Sequence, residues 1–109
     1  MTAAAFRKIA LRLPGAEERE HMGHPDFRVK GKIFATLGYP RTGWAAVMLR
    51  PEDQDSFVRM QPKAFHPVKG KWGEQGATNI ELRHATAAAV TAALSAAHET
   101  RVVRAPKRA

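Results

Sequence analysis

Two kinds of residue in this chain have the types and spacing to do chemistry: histidines close to carboxylates, and cations interleaved with aromatic rings. His21 and His24 form an H-x-x-H pair, with Glu17, Glu18 and Glu20 just upstream. On one face of a helix such a pair can hold zinc, but zinc takes three protein ligands in a catalytic site and four in a closed one. Gly23 and Pro25 argue against a regular helix here, and no spacing ties His66 or His84 to the pair. The pair is read as exposed loop histidines, with no metal and no cofactor expected.

Nucleophilic and phosphate-binding motifs are missing. Ser56 and Ser95 each fall inside an expected helix, and neither sits in the G-x-S-x-G turn that exposes a serine nucleophile. A phosphate-cradling loop requires G-x-x-x-x-G-K followed by Ser or Thr. Gly70-Lys71 runs instead into Trp72, and Gly31-Lys32 into Ile33. The acidic groups Glu17/Glu18 and Glu52/Asp53/Asp55 stand at loop or helix starts, where solvation or the helix dipole accounts for them. With no cysteine in the chain, thiol catalysis, disulfides and thiolate metal sites are excluded, and a reducing cytoplasm is the expected home. No enzyme is expected.

The cations make the stronger case. Arg28, Lys30 and Lys32 fall in one expected hairpin, and Lys63, Lys69 and Lys71 in a long loop interleaved with Phe65, His66 and Trp72. Cations neutralise phosphates, and exposed rings stack on bases. The competing reading is structural: outward lysines guard an edge strand against aggregation, while Phe65 and Trp72 fill a core. The bulk charge agrees with a polyanionic partner, at eighteen Lys and Arg against ten Asp and Glu, +8 over 109 residues. Four of those cations (Arg101, Arg104, Lys107 and Arg108) lie in the last nine positions, and without them the excess halves to +4. Residues 101–109 are therefore set apart as a basic tail, and 1–100 as a single domain.

The elements that must position these groups follow from periodicity. Phe6, Ile9, Ala10 and Leu13 share a helical face behind a Thr2 N-cap, and Pro14-Gly15 ends that helix. Ala16 to Asp26 is polar and reads as an irregular connection. Phe27 and Val29 alternate with Arg28 and Lys30 as a strand. Gly31-Lys32 turns the chain into a second strand through Ile33, Ala35 and Leu37, and Trp44 to Leu49 makes a third. Pro51 with Glu52, Asp53 and Asp55 opens a helix to about Met60. Short strands follow at Phe65–Val68 and at Thr78–Leu82, and the alanine-rich Thr86–Thr100 closes the chain as a helix. Few helices and hairpin-linked strands imply an α+β two-layer sandwich, α-β(3)-α-β(2)-α, with helices packed on an antiparallel sheet. No apolar run reaches the ~20 residues that span a bilayer, and basic Arg7, Lys8 and Arg12 interrupt the start where a signal peptide would be apolar.

In this order three segments resemble the MmcQ/YjbR family: Leu13-Pro14-Gly15-Ala16-Glu17-Glu18, the hairpin Phe27 through Ala35, and the closing strand and helix. The resemblance runs from about Ala4 to Thr100. It implies the same α-β(3)-α-β(2)-α fold and, for many members, DNA binding through a double-wing arrangement. A tryptophan follows the glycine that begins the last strand in many members; here Ala77 follows Gly76, with Trp72 nearby as a substitute. The expected partner is DNA or RNA, contacted largely through its backbone by Arg28, Lys30, Lys32, Lys63, Lys69, Lys71 and Trp72. The alternative is a protein-interaction or adaptor domain, because the architecture resembles that of secretion chaperones.

Overall fold

A computed structural model describes residues 1–103. Helix α1 spans Ala3–Arg12, and the Thr2 hydroxyl caps it by accepting the Ala5 N–H at 3.1 Å. Strands β1 (Glu17–His21), β2 (His24–Val29), β3 (Lys32–Leu37) and β4 (Trp44–Met48) follow, then helix α2 (Pro51–Met60). Strand β5 (Phe65–Pro67), the short helix α3 (Lys71–Glu74), strand β6 (Ala77–Glu81) and the long helix α4 (Ala87–Val103) complete the order. The strands form one antiparallel sheet in the order β1-β2-β3-β4-β6-β5.

This is the expected α+β architecture with helices packed on an antiparallel sheet, enlarged by two elements. Ala16–Asp26 is not irregular: it holds β1 and the start of β2, joined by a two-residue turn in which Met22 and Gly23 both take positive φ (53° and 80°). Strand β1, Glu-Glu-Arg-Glu-His, is exposed at every position. With neither face buried, it carries no apolar alternation for a sequence reading to find. Pro25 costs the sheet little. It lies opposite Glu20, and the β2–β3 register begins only at Asp26↔Thr36. The second turn is Lys30-Gly31, not Gly31-Lys32. Lys30 (φ 54°) and Gly31 (φ 78°) supply the paired positive dihedrals that a right-twisted two-residue hairpin requires. Lys30 is thus a turn residue, and the outer strands are β1 and β5, so Arg28 does not guard an edge.

One face of the sheet carries the core. Phe27, Val29, Ala35, Leu37, Ala45, Val47, Phe65 and Ile80 point to the layer formed by α1, α2 and α4. A register shift at Phe27/Arg28 makes Phe34 an extra residue on β3, which lets Phe34 and Ala35 be buried in succession. Phe65 stacks against Phe57 of α2 at 5.2 Å, so it is a core residue and not an interleaved surface ring. Helix α4 contributes Val90, Ala93, Leu94 and Ala97. His98 ties it to the α1–β1 connection by donating from Nε2 to the Pro14 carbonyl at 2.7 Å. The helix continues past Thr100 to Val103, so Arg101, counted above with the tail, belongs to α4; residues 104–109 lie outside the described residues. Among the described residues no helix is long and apolar enough to cross a membrane.

Candidate functional site

The face of the sheet opposite α1, α2 and α4 is mixed, with polar side chains among the apolar Trp44, Ala46, Met48 and Ala77. Cross-strand register lines up Arg19, Asp26, Thr36, Ala46, Asn79 and His66 in one row across all six strands. On β2, next to the edge strand, lies the least expected group. Asp26 has no accessible surface. Its Oδ1 accepts from Arg28 Nε at 2.8 Å, and its Oδ2 accepts from Arg28 Nη2 at 3.1 Å and from His21 Nδ1 at 2.7 Å. Fork-to-fork pairing of this kind is the strong form of a charged hydrogen bond. Hydrogen bonding from Arg28 holds the Asp26 carboxyl below the usual carboxylate range; burial pulls the other way, and His21 adds to the lowering. An ionised carboxylate only accepts, so His21 carries its proton on Nδ1. Arg28 is correspondingly raised, first through the same hydrogen bond.

His21 and His24 are therefore strand residues facing each other across the β1–β2 hairpin, not loop histidines. His21 serves Asp26, and His24 packs edge-on against Tyr39 at 5.4 Å. No group of three potential ligands capable of holding a metal occurs among the described residues.

Beside this network a cleft of about 760 Å³ opens at the end of the sheet where β2 ends, β3 begins, β4 ends and β6 begins. Arg28, Lys32, Arg50, Arg101, His21 and Trp72 line it together with Thr36, Met48, Gln75 and Ala77, and no carboxylate among the described residues does. Each cation arrives from a different element. Arg28 projects from β2, Lys32 from the start of β3, and Arg50 from the residue before α2. Arg101 comes from the last turn of α4, where its Nε donates to the Ile33 carbonyl at 2.9 Å. A smaller hollow beside the cleft is lined by Lys30, Lys32 and Arg101.

Trp72 is 68% exposed, yet the backbone beneath it is clamped. A Cβ on Gly73 would fall 1.6 Å from the Val68 carbonyl oxygen, so only glycine lets α3 approach that closely. From α2, Gln54 Nε2 donates to the Gly73 carbonyl at 2.9 Å and to the Ala77 carbonyl at 3.0 Å, stapling α3 and β6 together. Ala77 lines the same cleft as Trp72. Trp72 on the adjoining helix is thus exposed on the same cleft as Ala77, the position where the family resemblance implied a tryptophan.

Of the seven expected contact residues, the fold brings Arg28, Lys32 and Trp72 into the cleft, with Lys30 on the adjoining hollow. Lys69 and Lys71 follow β5 at the same end of the sheet, because Pro67 pairs with Thr78 and Val68 donates to the Ala77 carbonyl. Lys63 does not join them. It precedes β5 at the opposite end, where its carbonyl pairs with the His66 ring at 3.0 Å. Arg50, Arg101 and His21 also line the cleft, and Asp26 bonds two of its lining residues; Arg101 is expected as part of the tail and His21 as a loop histidine, while Arg50 and Asp26 carry no expectation.

A family model described as YjbR matches residues 11–102. The chain belongs to the YjbR family. A comparison with curated proteins gives no match. The matched YjbR segment takes in both hairpins, α2, α3 and Arg101, and with them every cleft residue named above.

Proposed function

We propose that this YjbR-family protein binds nucleic acid through phosphate contacts in the cleft and along its rim, without catalysing a reaction on it. The observation that carries the proposal is a cleft holding four Arg and Lys side chains, one histidine, an exposed tryptophan and no carboxylate among the described residues. Glu18 is held by Arg7, Asp55 by Arg59 and Glu81 by Arg83, away from the cleft, while Asp26 is bonded to the cleft residues Arg28 and His21. Lys30, Lys32, Arg50, Lys69, Lys71 and Arg101 form no ion pair among the described residues. Concentrating unpaired cations at one end of a small domain produces a positive field that draws a phosphate chain toward it.

Arg28 must be counted differently from the rest. Its charge is balanced by Asp26, so the cleft offers three free cations and the rim three more. If single-strand contacts scale as about 0.7 per phosphate, the slope of log K against log salt lies between roughly −2 for the cleft alone and −4 for cleft and rim together. Fluorescence anisotropy with labelled oligonucleotides at several salt concentrations measures that slope directly. Lys32→Ala with Arg50→Ala should flatten it by about 1.4, whereas Lys63→Ala should leave it unchanged. Absence of binding at 100 mM salt, or a slope indifferent to Lys32 and Arg50, overturns the proposal.

A further inference from the structure

We infer that the cleft is a nucleotide subsite for single-stranded nucleic acid, with a base stacked on Trp72 and its phosphate held by the cations opposite; the inference rests on the binding role proposed above. Three independent features lead to it. The first is size. At about 760 Å³ the cleft falls within the roughly 300–1,000 Å³ typical of sites for small ligands, room for a nucleotide or two.

The second is Trp72. In a duplex the faces of the bases are already stacked on one another, and a protein meets only edges and phosphates. An indole that is 68% exposed finds a partner only in a base that has left the stack. The exposure is not that of a loose loop, because Gly73 is seated on Val68 and Gln54 bonds the Gly73 carbonyl. A ring displayed on a fixed backbone loses little freedom when it is covered.

The third is the network around Asp26. The bidentate bond fixes the plane of the Arg28 guanidinium and leaves Nη1 as an uncommitted donor, while the bond from His21 Nδ1 fixes the imidazole ring, whose Nε2 in the neutral form is an acceptor. Both side chains line the cleft, and both are held in place before a ligand arrives. Oriented donors recognise a phosphate at one position, where mobile surface lysines supply only a diffuse field. A wall that stacks and a guanidinium donor that is preset, in one cleft free of carboxylates among the described residues, suit a single nucleotide unit of a flexible strand.

The test uses the full chain carrying Trp44→Phe, so that fluorescence reports Trp72 alone. The probes are an eight-nucleotide single strand of DNA, the same sequence in RNA, the corresponding DNA duplex, and inorganic polyphosphate. Expected is quenching by both single strands, with affinity at least tenfold above that for the duplex and no quenching by polyphosphate. Trp72→Ala should cost about tenfold on the single strand, as one lost stack does. It should leave polyphosphate binding unchanged, and Trp72→Phe should recover most of the loss. Duplex binding equal to single-strand binding, or a Trp72→Ala variant that binds single strands as well as its parent, overturns the subsite while leaving phosphate binding standing. Absence of binding to every polyanion overturns both readings. Trp72 is exposed, so a melting curve matching the parent establishes that a loss of binding is local.

Discussion

Replacing Asp26 by asparagine should destabilise the domain at neutral pH and matter less in acid. The carboxylate is buried and accepts three charged hydrogen bonds at 2.7–3.1 Å. Breaking a fully buried ion pair by removing one partner costs about 3–5 kcal/mol. That figure is too large here. The Arg28 side chain keeps 27% of its surface and His21 46%, so water can hydrate whatever charge is stranded, and asparagine retains one acceptor. Discounting for that screening, a loss of about 1.5–2.5 kcal/mol is expected.

The pH dependence follows from the direction of the shift. Asp26 titrates below its ordinary value because of Arg28 first, with His21 assisting against the opposing effect of burial. As pH falls, the unfolded chain takes up this proton before the folded one does. The contribution is therefore fully present above the ordinary carboxylate range near 4, and is lost as pH drops through the lower folded value. Urea titrations of the parent and Asp26→Asn at matched ionic strength measure both ends. With a slope of about 1.3 kcal/mol per molar urea for a domain of this size, the midpoint should fall by roughly 1–2 M at pH 7. At pH 2.5 the gap between the two curves should be narrower than at pH 7. A midpoint shift under 0.3 M at pH 7, or a gap that persists undiminished in acid, would refute the assignment of Asp26 as an ionised, doubly clamped acceptor.

Other substitutions probe the remaining supports. Gly76→Ala should be the most damaging small change, because a Cβ there meets the Leu49 carbonyl oxygen at 1.9 Å in a backbone at φ 114°; a loss of about 3 kcal/mol is expected in the same urea assay. Gln54→Leu removes both bonds to α3 and β6; it should cost about 1–2 kcal/mol of stability and weaken single-strand binding severalfold by loosening the backbone under Trp72, as titration of the variant would show. His98→Ala should cost about 2 kcal/mol, combining the lost bond to Pro14 with the lost edge contact to Phe34 at 5.4 Å, read as a lowered melting temperature. Arg7→Ala severs an ion pair with an exposed arginine and should leave the melting temperature unchanged within error.

Helices α1, α2 and α4 and five of the six strands were legible because each writes its burial into the sequence, whereas the four-residue α3 falls in what reads as a long loop. Thr2 announces α1, Pro51 announces α2, and Phe27/Val29 and Ile80 alternate as half-buried strands should. Strand β1 is silent for the converse reason: it is held by backbone pairing to β2 and buries nothing. Losing β1 from the reading cost the site its centre, since a loop histidine and a loop aspartate give no hint that strand pairing will set His21 beside Asp26. Arg101 was hidden differently. It belongs to a run of four cations that composition alone assigns to a tail, and only packing shows that α4 extends far enough to reach Ile33. Arg50 carries no local signal at all. Its significance arises when the β4–α2 junction meets the β2–β3 turn, a juxtaposition made by tertiary structure.

That origin bears on how the two halves of the protein depend on each other. The core is built on the helical face of the sheet and draws nothing from Lys32, Arg50 or Trp72, so those residues are open to change without loss of the fold. Arg28 is not. Part of its guanidinium balances a buried carboxylate that no other Arg or Lys among the described residues reaches, and part of it lines the cleft. An arginine serving only the ligand could be replaced by lysine at modest cost. This one cannot, because an ammonium has no planar fork with which to satisfy both Asp26 oxygens. Net charge thus says little about the cleft by itself. Of the +8 on the chain, the charge at Arg28 is cancelled locally and serves to hold geometry, and the attraction for a polyanion falls to the residues around it that carry no partner.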